Sequence, residues 1–126
     1  MTVDGWIVPA AVASGGALGA VLRFAASAAG RRIPARFPWA TYAINTVGSF
    51  LLGALAGGEW ELNPAATAAL GAGVLGGFTT FSTFAVESAR LRQEKNGAIR
   101  SALYIGVTLV SSVAAAGLGF ALRQLA

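Results

Sequence analysis

The chain has 126 residues, 56% of them hydrophobic and only 11% charged, with 17 glycines and a mean hydropathy of +0.67. Soluble domains carry about 25% charged residues, so this composition argues against both a soluble globular domain and a disordered chain, and points to a membrane protein. The chain has no cysteine and no histidine, which removes disulfides, thiolate or imidazole metal ligation and the Ser-His and Cys-His nucleophile pairs. Five scattered acids (Asp4, Glu59, Glu61, Glu87, Glu94) offer no carboxylate pair for metal binding or glycoside hydrolysis, so no enzyme is expected. A net charge of +4 raises nucleic acid as a partner in a soluble protein, but the placement of the charges argues for topology and against nucleic acid.

Four apolar blocks follow in chain order, at about 6–29, 39–57, 65–89 and 101–122. Each is long enough to cross about 30 Å of hydrocarbon as a helix. The expected fold is an all-α membrane protein of four transmembrane helices, the 126 residues forming a single transmembrane domain. The first block is too long for the apolar core of a cleavable signal peptide, and the MTVDG before it carries no cation. A basic connection, RRIPARFP, leads to the second block. The acidic GEWELNP, ending in the helix-start pair Asn63-Pro64, leads to the third. RLRQEKNGAIR, basic again and holding an Asn-Gly turn signal, leads to the fourth. Trp6, Trp39 and Trp60 all fall at block ends, where indole favours the membrane interface.

The first and third connections carry Arg31, Arg32, Arg36, Arg90, Arg92, Lys95 and Arg100; the opposite side carries Arg123 alone. The positive-inside rule places both basic connections in the cytoplasm and both termini outside.

Small residues recur four apart in every block: Gly15 and Gly19, Gly53 and Gly57, Gly73 and Gly77, and Ser111, Ala115 and Gly119. Such faces let helix backbones approach closely, and are expected to serve helix packing and oligomer contacts. Four helices barely enclose a pathway, so a dimer is expected.

Polar residues inside the blocks carry the functional signal, since hydrocarbon penalises them. Thr41, Asn45 and Ser49 form one helical stripe, and Tyr104, Thr108 and Ser112 another. Each reads either as interhelical glue or as the lining of a pathway. In the third block, the run from Gly73 to Phe84 places Thr79, Thr80, Ser82 and Thr83 among three phenylalanines, after two adjacent glycines. That pattern weakens a helix and predicts a break. The freed carbonyls would suit a dehydrated small cation if protein buries them. Phe81 and Phe84, three apart, share a face, and their electropositive ring edges could line an anion path. Arg23 could draw anions to a vestibule, and Glu87 lies near the cytoplasmic end of its block. No acid sits at mid-membrane, which suits passive anion conduction better than proton-coupled export.

The runs G-G-A-L-G-A-V-L-R-F (15–24), Y-A-I-N-T-V-G-S-F-L-L-G (42–53) and G-G-F-T-T-F-S-T-F-A-V-E (76–87) resemble the Fluc, or CrcB, family of fluoride channels, along essentially the whole chain. The resemblance implies an antiparallel dimer in the inner membrane with two fluoride pores, passive export of fluoride, and a structural sodium ion at the dimer centre. It implies pore roles for Asn45, Phe81, Phe84, Ser82, Thr83, Tyr104, Thr108 and Ser112, vestibule positions for Arg23 and Glu87, and sodium ligation by the backbone carbonyls of Gly76 and Thr79. One feature departs from the simplest family case. A homodimer of opposed subunits needs little topological bias, and this chain is strongly biased, so pairing with an oppositely biased paralogue is expected. Two alternatives stand: a small multidrug-type proton-coupled exporter, which should carry an acid in its first helix, and a non-conducting membrane scaffold, which leaves Asn45 and the 76–84 run without a role.

Overall fold

The computed structural model describes residues 3–126. After a 3-10 turn at Val3–Trp6 come helix α1 (Ile7–Gly30) and helix α2 (Trp39–Gly57). The third span, Pro64–Arg92, consists of α3 (Pro64–Ala68), a π-helical stretch (Ala69–Leu75), α4 (Gly76–Phe78) and α5 (Phe81–Arg92). Helix α6 (Gly97–Leu125) completes the chain. All four spans are long and apolar enough to cross a membrane, and the described residues contain no strand.

The punctuation is chemical. Asn63 caps α3, its side chain accepting from the Ala66 N–H at 2.8 Å, with Pro64 in the first turn. Asn96 adopts the left-handed conformation (φ 58°) at the turn into α6, the Asn-Gly signal seen in the sequence. Helix α6 begins four residues before its apolar block and ends three after it, because backbone hydrogen bonding does not stop at the hydrocarbon edge and the polar side chains at its ends find partners: Arg100 donates to the Arg36 carbonyl, Arg123 lies over the Trp60 ring and Gln124 donates to the Gly57 carbonyl.

Alternate spans pack side by side, α1 on the π stretch and α4, and α2 on α6. Within each pair the chain runs in the same direction. The glycine faces make these two seams. A Cβ at Gly19 would meet the Val74 carbonyl, and one at Gly77 the Gly16 backbone; one at Gly53 would meet Ala116, and one at Gly119 the Phe50 carbonyl. The small residues are therefore spent on packing inside the subunit. The oligomer contacts also expected of them are not where these faces point, because each is already covered by a helix of the same chain.

The break in the third span is present, at Thr79 (φ −71°, ψ 159°) and Thr80 (φ −146°, ψ 121°). Two extended residues redirect the chain so that α5 leaves α1 and packs on α6. There Phe84 and Tyr104 stack 5.3 Å apart between ring centroids, and the Ser101 hydroxyl donates to the Ser88 carbonyl at 2.8 Å. Thr80 caps α5, its Oγ1 accepting from the Thr83 N–H. The π stretch upstream was not anticipated from sequence. It contains Gly71 and Gly73, and π turns commonly sit beside functional sites.

Candidate anion pathway and the helix break

Breaking a helix inside a membrane strands backbone groups that must find partners. Two side chains from other spans supply them. Asn45 on α2 lies flat against the break, its Nδ2 donating to the Thr80 carbonyl at 2.9 Å while its Oδ1 accepts from the Thr80 N–H at 2.8 Å. Arg23 on α1 donates from Nη1 to the Thr79 carbonyl at 3.0 Å. Arg23 thus turns to the break instead of snorkelling to the interface. Asn45 is a clamp across 35 residues of sequence, although one of its amide hydrogens is left over.

Beside this clamp is a cleft of about 580 Å³. Asn45, Ser49, Thr108, Ser112, Phe81 and Phe84 line it, together with Gly76 and Thr79 at the break. Two members of each polar stripe, Asn45 and Ser49 with Thr108 and Ser112, therefore share one space. The hydroxyls of Thr108 and Ser112 are buried and have no hydrogen-bond partner. Buried hydroxyls are seldom left so, which marks them as spare donors. Phe81 is 79% exposed on the open side, whereas Phe84 is 8% exposed. Their ring centroids are 5.9 Å apart and their planes 47° apart.

A second cavity, of about 460 Å³, opens towards the basic end of the bundle and is lined by Arg23, Arg31, Arg90, Thr41, Thr83 and Glu87 among others. Glu87 accepts from the Thr41 hydroxyl at 3.0 Å and the Tyr104 hydroxyl at 2.8 Å, so both carboxylate oxygens are held. Among the described residues the one ion pair is Arg100–Glu94, so Arg23, Arg31 and Arg90 form no ion pair around this cavity and outnumber its one carboxylate, Glu87. Its net charge suits an anion.

The sequence-predicted residues thus fall into separate groups. Asn45, Phe81, Phe84, Thr108 and Ser112 share the cleft; Arg23, Glu87 and Thr83 share the second cavity. Tyr104 is fully buried behind Glu87, and Ser82 is exposed on α5 and lines neither space. Two members escaped sequence reasoning. Thr80, whose backbone Asn45 holds, had a legible signal only as a cap, through its spacing to Thr83. The Tyr42 hydroxyl donates to Ser111 Oγ at 3.0 Å, tying α2 to α6, and no local pattern announces that pair.

Residues 10–120 match the family model described as CrcB-like protein, Camphor Resistance (CrcB). The chain belongs to the CrcB family. A relative from Novosphingobium aromaticivorans, named Fluoride-specific ion channel FluC, is 45% identical over 120 residues, covering 90% of this chain and 93% of that protein. One of the same name from Rhodospirillum centenum is 42% identical over 121 residues, covering 92% and 94%. Fluoride-specific ion channel FluC 1 of Leifsonia xyli subsp. xyli is 46% identical over 125 residues, covering 95% and 89%. These alignments leave little of either chain unmatched.

The contrast in exposure between the two phenylalanines gives a prediction about this CrcB chain. Phe81→Ala is expected to leave the Tm within a few degrees of the parent and to cut anion flux at least tenfold. Phe84→Ala removes a ring packed on Tyr104 and costs about 3–5 kcal/mol, so the Tm falls as well. Thermal unfolding of the chain, beside flux from the same chain reconstituted with its partner, checks both; a large Tm loss in Phe81→Ala would show that Phe81 is a packing residue.

Proposed function

We propose that the chain is a fluoride-selective ion channel, not an enzyme, that lets cytoplasmic fluoride leave passively through pores at a dimer interface in the inner membrane. The pair of buried, partnerless hydroxyls at Thr108 and Ser112 carries this reading, opposite the spare amide hydrogen of Asn45. Fluoride is strongly hydrated and only accepts hydrogen bonds, so a pore must offer donors in place of water while binding weakly enough for exit. The names of the relatives support fluoride over other anions.

The roles follow from position. Arg23, with Arg31 and Arg90, concentrates the anion in the basic-end vestibule. Glu87, held by Thr41 and Tyr104, stands at its wall and fixes the orientation of both hydroxyls. The electropositive edges of Phe81 and Phe84 pass the anion without trapping it. Asn45, Thr108 and Ser112 replace its water, Thr83 adds a hydroxyl at the vestibule, and Ser82, on the exposed face of α5, joins them only when a partner covers that face.

The exposed face around Phe81 and Ser82 needs a second copy or a paralogue to close a pore, and an antiparallel dimer serves this. The bias of the basic residues favours one insertion orientation, with both termini outside, hence an oppositely biased paralogue as partner. A C-terminal reporter should be found on the outer side in whole cells; a cytoplasmic reporter would reverse the topology.

Sodium at the dimer centre fits the donor chemistry of the break. Asn45 takes the Thr80 N–H, so the Gly76 carbonyl lacks its helical partner, and the Thr79 carbonyl bears only the Arg23 hydrogen bond. Neutral carbonyl oxygens suit a hard cation, and one chain supplies two of them, so a full shell needs the partner. Such an ion would supply fixed positive charge and hold two breaks together.

Fluoride efflux from liposomes tests the whole reading. The chain alone should give little efflux, addition of an oppositely biased relative should restore it at least tenfold over chloride, and replacing sodium with N-methylglucamine throughout should reduce the active dimer. Fast efflux from the chain alone would keep the channel and remove the paralogue. Unchanged efflux without sodium would remove the cation. No efflux under any condition would remove the channel.

A further inference from the structure

At the basic end of the bundle, away from both cavities of the anion pathway, two adjoining hollows form one groove. The outer hollow, about 760 Å³, is lined by Arg36, Lys95, Asn96, Arg100, Glu94 and Ala35. The inner one, about 200 Å³, is lined by Phe37, Leu91 and Leu103 and shares Arg36 and Arg100 with the outer. The walls come from the α1–α2 connection, the end of α5, the α5–α6 connection and the first two turns of α6. The Arg100 Nη2 donates to the Arg36 carbonyl at 3.0 Å, fastening the first connection to α6.

Charge and polarity are graded along this groove. Arg100 is paired with Glu94, which leaves Arg36 and Lys95 uncompensated at the outer end. The α6 N-terminus opens on the same hollow, with no side chain capping its first-turn amides, and adds partial positive charge. Deeper in, the lining is a phenylalanine and two leucines, and Leu103 is 61% exposed beside Ile99, 67% exposed. A free inorganic anion would use only the outer half, and an apolar solute only the inner. A molecule with a phosphate at one end and a hydrocarbon chain at the other uses both, in the orientation a bilayer imposes.

We propose that this groove binds one anionic phospholipid, its phosphate between Arg36, Lys95 and Arg100 and an acyl chain along Phe37, Leu91 and Leu103. Clusters of cations at the membrane edge favour anionic over zwitterionic headgroups, and here two of the three lack a counter-charge. The inference rests on the chain spanning a membrane and is independent of which ion it conducts.

The test uses the full chain in detergent, equilibrated with phosphatidylglycerol or phosphatidylcholine of identical acyl chains and read by native mass spectrometry. Phosphatidylglycerol should be retained at least fivefold more than phosphatidylcholine. Arg36→Gln with Lys95→Gln should bring that preference within twofold of unity, with the Tm unchanged, since neither substitution touches the Arg100–Arg36 backbone bond. Arg32→Gln with Arg92→Gln removes the same charge from exposed residues outside the groove and should keep the preference. Excess inorganic phosphate should not displace the lipid. Equal retention of the two lipids, equal loss in both double variants, or displacement by phosphate would each overturn the proposal.

Discussion

Asn45→Ala abolishes fluoride efflux and lowers the Tm by ten degrees or more: this is the outcome expected from the clamp at the helix break. The alanine leaves the Thr80 N–H and carbonyl without the partners they have at 2.8 and 2.9 Å. Each backbone group that loses its protein partner at membrane depth costs about 1–3 kcal/mol. The chain then relieves the loss by closing the break towards a continuous helix, which would swing α5 away from α6 and take Phe81 and Phe84 out of the cleft. Asn45→Asp separates the two halves of the clamp. A carboxylate still accepts from the Thr80 N–H but no longer donates to its carbonyl, so stability should fall between the parent and the alanine variant. Melting curves on the three proteins, and liposome flux with each reconstituted beside the oppositely biased partner, measure this. Full efflux from Asn45→Ala would remove Asn45 from both the pore and the clamp.

Gly53→Leu is expected to prevent folding altogether. The seam between α2 and α6 is one of the two seams that hold the four spans together, and it has no room at this point. A Cβ at Gly53 would sit 2.9 Å from the Ala116 Cα and closer still to its carbonyl oxygen. Backbone cannot rotate aside as a side chain does, so the helices must separate. Even Gly53→Ala should cost about 1–3 kcal/mol. Gly106 and Gly117 are the internal controls. They lie on α6 with nothing within 4 Å of a Cβ, and alanine there should be neutral or stabilise by about 0.5–1 kcal/mol through helix entropy. The yield of monodisperse protein in detergent and its Tm decide the matter; normal folding of Gly53→Leu would mean that the seam is far looser than these positions indicate.

The two variants probe different properties of the same sequence. The Gly53–Gly57 spacing was visible as a small-residue face, but whether it served a neighbour in the same chain or a second copy was not, because a close-approach face looks identical in either use. Asn45 was visible as a polar residue out of place in hydrocarbon, and as a member of a stripe with Thr41 and Ser49. Nothing in its own segment said that Thr41 would donate to Glu87, that Ser49 would line a cleft, and that Asn45 would hold Thr80.

What the sequence determined by itself is whatever depends on neighbours along the chain. Hydropathy over about 20 residues sets the four spans, the proline, glycine and asparagine punctuation sets their ends, and the alternation of four spans puts the two basic connections at one end of the bundle. The run from Gly76 to Phe84 carries its own poor helix propensity, so the break was legible too. The tertiary structure decided which carbonyls at that break remained free, that Arg23 points inward, that Thr108 and Ser112 are left without partners, and that Tyr104 stands behind Glu87. The physical reason is one of range. Helix propensity and periodicity act over a few residues, whereas a hydrogen bond from Asn45 to Thr80 or from Arg23 to Thr79 depends on the approach of two spans, set by seams of glycine elsewhere in the chain.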